Sequence, residues 1–131
     1  MENSIVAVYG SLRKGLGNHG LLQGSEFIGT GKVSGYGMYS LGGFPAMSNV
    51  GAKSDAVVEV YSVDEVTMAR LDRLEGYPSF YNRSLVAVLL DEGEGGVATY
   101  ASAWMYHIDE AFDNKDFVAS GDWVKYFGGE R

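Results

Sequence analysis

An α+β fold built on a strongly curved or closed sheet is the architecture this sequence predicts. Three observations point there. Short β-branched or alternating apolar segments make up most of the regular pattern, and one amphipathic helix sits between them. Nineteen glycines against two prolines supply many tight turns between short elements. At 131 residues the chain is expected to form a single domain, residues 1–131. A chain of that length buries roughly two-thirds of its unfolded surface, enough for a true core.

The elements follow in order. Ile5 to Tyr9 is a continuous apolar, β-branched run ending at Gly10, the pattern of a buried strand. Gly10, Gly15, Gly17 and Gly20, with Arg13 and Lys14 among them, mark a loop. Phe27 to Val33 and Tyr36 to Leu41 read as strands interrupted by glycine, and Gly42-Gly43-Phe44-Pro45 breaks the pattern. Ala56 to Val63 reads as a further strand, with Val58, Val60 and Ser62 on one face and Val57, Glu59 and Tyr61 on the other.

The helix comes next. Ser62 followed by Glu65 fits a capping box, and residues 63–75 contain neither Gly nor Pro. Val63, Val66, Leu71 and Leu74 fall on one helical face, interrupted by Thr67 and Arg70. Gly76 supplies the stop and Pro78 follows it. Ser84 to Leu90 and Val97 to Ile108 are strands joined into a hairpin by the acidic turn from Asp91 to Gly96, whose carboxylates read as solvated.

Composition excludes several functions. Seventeen acidic against ten basic side chains give a net charge of -7, which disfavours nucleic acid and anionic membrane as partners. With no cysteine, disulfide scaffolds, thiolate zinc sites and cysteine nucleophiles are ruled out. The start is acidic and carries only a short apolar run, unlike a secretory signal. The longest aliphatic run, Leu85 to Leu90, is far below the ~20 residues that cross a bilayer. A cytoplasmic location is therefore expected, and Asn82-Arg83-Ser84 reads as a chance glycosylation match.

Familiar catalytic motifs fail as well. Gly10 and Gly15 have the spacing of a phosphate loop, but Leu16 and Gly17 occupy its Lys-Ser/Thr positions. His19 and His107 stand far apart, no His-Glu-x-x-His helix exists, and no Gly-x-Ser-x-Gly elbow appears. Each histidine reads as a surface or hydrogen-bonded structural residue. No metal and no cofactor is expected.

Two segments keep chemical content. In Tyr9-Gly10-Ser11-Leu12-Arg13 a strand ends in a polar, glycine-flanked loop. Gly10 can adopt backbone angles closed to other residues, so consecutive N–H groups could form an anion-binding nest, with Arg13 adding a forked cation. From spacing alone, an ordinary turn with two exposed basic side chains is the favoured reading. In the second segment, Leu74-Glu75-Gly76-Tyr77-Pro78-Ser79-Phe80-Tyr81, Glu75 falls on the flank of the buried stripe at the last helical turn. Partial burial and the helix dipole both push such a carboxyl toward neutrality, as a general acid or base requires. A solvated Glu beside ordinary core aromatics is the alternative.

The pair Tyr9-Gly10-Ser11-Leu12-Arg13 and Leu74-Glu75-Gly76-Tyr77-Pro78-x-x-Tyr81 resembles the γ-glutamylcyclotransferase-like superfamily, in particular its γ-glutamylamine cyclotransferase and AIG2-like branch. Gly15-Leu16-Gly17-Asn18-His19-Gly20-Leu21-Leu22 and Ser120-Gly121-Asp122-Trp123 extend the resemblance over nearly the whole chain. It implies a small mixed β-barrel flanked by helices. It also implies an enzyme that releases 5-oxoproline and a free amine or amino acid from a γ-glutamyl compound. The substrate's own α-amine attacks its γ-carbonyl, so no enzyme nucleophile or cofactor takes part. By the same resemblance Glu75 is the general acid/base, and the Tyr9, Gly10, Ser11 and Leu12 backbone holds the glutamyl end. Tyr81 is a pocket contact, and Arg13 matches less securely because the family varies there. A metabolite-binding or regulatory protein on the same fold, or an interaction domain, are the other readings. The leaving group and the oligomeric state stay open.

Overall fold

The computed structural model describes residues 3–91, 96 and 98–127. Strand β1 (Ser4–Val8) runs between β4 (Ser54–Val63), to which it is antiparallel, and β6 (Thr99–His107), to which it is parallel through Val6↔Trp104. Antiparallel partners extend this on both sides: β2 (Glu26–Ser40) beside β4, and β5 (Asn82–Leu90) beside β6. β2 and β5 then meet at Gly31↔Leu90 and Lys32↔Leu89, which closes β2-β4-β1-β6-β5 into a mixed five-stranded barrel. A short β3 (Pro45–Ser48) pairs with the far end of β2.

Closure depends on bending one long strand. Phe27–Val33 and Tyr36–Leu41, expected as two strands, are one β2 that shifts register against β4 between Phe27 and Gly29 and between Val33 and Tyr36. Bulges of this kind sharpen twist and turn a sheet corner. Gly35 sits in the second irregularity at φ 89°, a conformation that favours glycine. Gly31 serves a different need: a Cβ there would stand 2.6 Å from the Leu89 carbonyl oxygen. The two strands meet only because that side chain is missing.

β1 and β4 are apolar on both faces because both are covered. Ala7, Tyr9, Val58 and Val60 point into the barrel with Met38, Met105 and Trp123. Val6, Val8, Tyr61 and Val63 face outward against Leu22 and against Met68 and Leu71 of helix α1 (Glu65–Glu75). Leu71 is fully buried, worth about 1.5–3 kcal/mol over exposure. Val66 and Leu74 are 61% and 42% exposed, so the covered stripe is narrower than the sequence suggests.

The helix start differs from expectation. Its N-cap is Asp64, whose carboxylate accepts the Thr67 N–H at 2.7 Å, while Ser62 remains in β4 paired with Ile5 and Glu26. Ladder pairing holds Ser62 in strand, so the next oxygen-bearing side chain takes the cap. The stop is as expected, with Gly76 at φ 66°. Strands β5 and β6 pair from Asn82↔His107 to Leu90↔Thr99, whereas the acidic turn lies largely outside the described residues, at 92–95. β3 and helix α2 (Trp123–Phe127) were not expected. α2 follows a segment docked on the barrel, where Val118 N–H donates to the Met38 carbonyl and Val57 N–H to the Gly121 carbonyl, both at 2.8 Å. No helix among the described residues is long and apolar enough to cross a membrane.

Candidate active site

A cavity of about 330 Å3 opens where β1 ends. Four pieces of chain converge on it: the Tyr9–Leu12 loop, Phe44 with Pro45 at the start of β3, Leu74 and Glu75 at the end of α1, and Phe80 and Tyr81 ahead of β5. The strand end places the loop, the helix end places the carboxylate, and Gly76 turns the chain so that Phe80 and Tyr81 fold back beside Glu75.

The loop is shaped differently from the expected nest at Gly10. Gly10 is not among the residues with positive φ; its need for glycine is steric, since a Cβ would stand 2.9 Å from Pro45 Cδ. The loop is closed by Arg13 N–H donating to the Gly10 carbonyl and Asn18 N–H to the Ser11 carbonyl, both at 2.9 Å. Asn18 Nδ2 donates to Ser11 Oγ at 2.8 Å, and His19 Nδ1 lies 2.8 Å from the Leu12 carbonyl oxygen. These bonds consume carbonyls. The Ser11 and Leu12 N–H groups donate in none of the turn and loop hydrogen bonds of the described residues. Both residues line the cavity.

Glu75 supplies the one carboxyl among the described residues that line the cavity. Burial raises its carboxyl from 4.5 to about 7. Among the described residues its carboxylate has no hydrogen-bond or ion-pair partner, so it faces the cavity unencumbered. Its acidic neighbour Asp72 is occupied elsewhere: Arg83 Nε donates to it at 2.9 Å and the Tyr106 hydroxyl at 2.7 Å. Burial, then the charges of Tyr81 and Glu75, hold the Tyr9 hydroxyl well above its usual pKa. Burial followed by the Glu75 charge does the same for Tyr81. Both stay protonated. Tyr9 donates to the Tyr106 carbonyl and Tyr81 to the Pro45 carbonyl, each at 2.7 Å. Their protons fix the cavity walls, leaving the hydroxyl oxygens of these two residues as acceptors.

Arg13 does not join them. Its Nε lies 3.0 Å from Glu59 Oε2 and its Nη1 2.9 Å from Asp122 Oδ1, with the side chain 10% exposed. Glu59 also accepts the Lys14 N–H at 2.9 Å and the Tyr61 hydroxyl at 3.0 Å. The fork read as a ligand for a carboxylate is taken by two carboxylates of the protein. It ties the loop to β4 and to the segment that carries Trp123.

Both histidines are hydrogen-bonded, as expected, though His107 has unexpected company. Its Nε2 lies 2.8 Å from Ser84 Oγ, and its Nδ1 comes within 2.7 Å of Asp109 Oδ2 without hydrogen-bond geometry. None of the three lines the cavity, and His107 is 5% exposed on the inner barrel face beside Met105. The group is a strap across the β5–β6 pair.

Comparison with known proteins decides the kinship. The family described as Gamma-glutamyl cyclotransferase, AIG2-like, matches residues 6–125. This chain belongs to that family. It is 42% identical over 125 residues to a Methanocaldococcus jannaschii protein provisionally named a gamma-glutamylcyclotransferase, covering 94% of this chain and 98% of that one. The Gamma-glutamylcyclotransferase family protein YtfP of Escherichia coli K12 is 33% identical over 119 residues, covering 91% and 95%. Among solved structures, an uncharacterized Pyrococcus horikoshii protein superposes with TM-score 0.69 at 27% identity, covering 98% and 99%. The mouse AIG2-like protein shares the fold with TM-score 0.76 at 22% identity, covering 94% and 89%. In this gamma-glutamylcyclotransferase-like chain, sequence reasoning missed Asn18, Phe44, Pro45 and Tyr106 as cavity residues. Asn18 lies in the Gly15–Leu22 segment of the resemblance, whereas Phe44, Pro45 and Tyr106 reach the cavity from the start of β3 and from β6.

Proposed function

We propose that this chain is a γ-glutamyl cyclotransferase, converting a γ-glutamyl amine or amino acid into 5-oxoproline and the free amine. The observation that supports this best is Glu75, a carboxylate unpaired among the described residues and raised to about 7 at the wall of the cavity. Glu75 takes a proton from the substrate's α-ammonium, and the freed nitrogen attacks the γ-carbonyl carbon. The new C–N bond closes a five-membered ring and the carbonyl oxygen becomes an oxyanion, which a neighbouring N–H pair at Ser11 and Leu12 is suited to stabilise. Glu75 returns its proton to the leaving nitrogen as the original amide C–N bond breaks. The α-nitrogen's second proton passes to water, and the lactam and amine depart.

Holding the glutamyl chain folded supplies much of the rate, since both reacting atoms belong to one molecule. No electron changes hands, so no oxidant or reductant is required. The test is 5-oxoproline release from a panel of γ-glutamyl compounds. Turnover by the wild type is expected; saturable binding without turnover would identify a metabolite-binding protein instead. Exhaustive dialysis against EDTA is expected to leave turnover unchanged. A loss restored by Mg²⁺, Mn²⁺ or Zn²⁺ would point to metal-assisted hydrolysis.

A further inference from the structure

Resting on that reading, we propose that Asp72 and Arg83 are positioning residues for Glu75: they neutralise each other behind the cavity wall, so that no net second charge acts on the carboxyl that carries the proton. Asp72 stands three positions before Glu75, which puts both carboxyls on one face of α1. At that spacing two ionised groups repel. Of the two, Glu75 lines the cavity and Asp72 does not. Asp72 is bound on both oxygens: Arg83 Nε donates to Oδ1 at 2.9 Å, Arg83 Nη2 to Oδ2 at 3.4 Å, and the Tyr106 hydroxyl to Oδ1 at 2.7 Å. Arg83 is fixed in turn, with its guanidinium carbon 4.5 Å from the ring centroids of both Tyr77 and Trp104. The side chains of Asp72 and Arg83 are 24% and 18% exposed, so solvent screens neither charge fully.

The pair reaches the cavity through Tyr106. With its proton given to Asp72, the Tyr106 side chain ties α1 to β6, and its carbonyl accepts the Tyr9 hydroxyl at 2.7 Å. Tyr9, Tyr106 and Glu75 all line the cavity. Burial and then Asp72 raise the Tyr106 hydroxyl above its usual pKa, Arg83 opposes them and Glu75 adds to them, so one phenol senses all three charges. The other titratable groups around Glu75 are Tyr9 and Tyr81, both protonated. His19, on the short 3-10 helix His19–Leu22 that packs against α1, is turned to the Leu12 carbonyl and the Tyr61 ring. Arg70 and Arg73 of α1 are exposed. Among the described residues, Asp72 and Arg83 are thus the largely buried charges placed to move Glu75, and their sum is zero.

The experiment follows the carboxyl-carbon NMR shift of Glu75 against pH and, in parallel, the pH dependence of kcat/KM for 5-oxoproline release. Asp72→Asn keeps the shape and leaves Arg83 uncompensated, so the titration and the acid limb are expected about 0.5–1 pH unit below wild type. Arg83→Met keeps the stem between the two rings and leaves Asp72 uncompensated, so both are expected about 0.5–1 pH unit above it. Arg83→Gln takes its place if that variant does not fold. Damage to the packing would let water reach Glu75 and lower both variants together, so opposite signs identify the charges. Arg83→Lys keeps the charge and is expected to titrate as wild type. No displacement, or displacement in one direction, in folded Asp72→Asn and Arg83→Met overturns the proposal, and wild-type turnover then leaves cyclotransfer intact. An Arg83→Lys titration displaced as far as that of Arg83→Met overturns it too. If the wild type releases no 5-oxoproline, the NMR titration alone decides. Opposite displacements would then sustain the pair and remove cyclotransfer, and their absence would remove both.

Discussion

Glu75 titrates near neutrality through burial, with no neighbouring charge needed to move it. Two consequences follow at the residue scale. Glu75→Gln keeps the shape and cannot carry a proton, so 5-oxoproline release is expected to fall by about 10²- to 10⁴-fold. In the wild type kcat/KM should rise with pH through about 7, as the base ionises. Stability should move the other way. A carboxyl at about 7 when folded and near its ordinary value when unfolded favours the folded state while protonated. That contribution is complete below the unfolded value and is lost as pH rises through about 7. Glu75→Gln should therefore be more stable than wild type by about 1–3 kcal/mol at pH 8 and indistinguishable at pH 4. Urea denaturation at both pH values measures it; a variant that is less stable at pH 8 would mean that the carboxylate is held by partners after all.

Among the elements, the loop after β1 owes its shape to contacts behind it. Arg13 anchors it by pairing with Glu59 on β4 and Asp122 ahead of α2. Removing one partner of a buried pair leaves the other charge uncompensated. Arg13→Ala is expected to destabilise the fold by about 3–5 kcal/mol, with Arg13→Lys intermediate because an ammonium cannot fork to two carboxylates. At low temperature, the fraction that remains folded should keep a KM close to wild type. A raised KM with an unchanged urea midpoint would return Arg13 to the substrate side. Gly10 acts at the same scale: Gly10→Ala would push on Pro45, whose carbonyl holds the Tyr81 hydroxyl, so one methyl disturbs two cavity walls.

At the scale of the whole molecule, the barrel stands or falls with the β2–β5 seam. That seam is short, Gly31↔Leu90 and Lys32↔Leu89, and it fits only with glycine at 31. A valine there would overlap the Leu89 carbonyl and the Val88 side chain, which lies inside the core. Gly31→Val is expected to cost about 1–3 kcal/mol or more. Amide exchange should also speed up along residues 30–33 and 88–90 ahead of β1 and β4. Uniform acceleration over all strands would show that the barrel opens as one unit and not at its seam.

Local pattern was sufficient for several features. The β1 run and its stop at Gly10, the helix stop at Gly76, the β5–β6 pairing and the position of Glu75 on the helix flank all depend on residues within one or two turns or strands of each other. Period, caps and glycine conformation act at that range, so they are legible in the chain. The resemblance read from two short motifs also holds over residues 6–125. Whatever depends on distant pairing was not legible. The bulges that make β2 one strand, the short β3, and the cap passing from Ser62 to Asp64 all follow from ladders between segments far apart. So does the role of Arg13: spacing shows a guanidinium beside a glycine loop, and only folding brings Glu59 and Asp122 to it across 46 and 109 positions. A side chain's partners are set by which surfaces meet when the barrel closes, and electrostatics acts over those few ångströms without regard to separation along the chain.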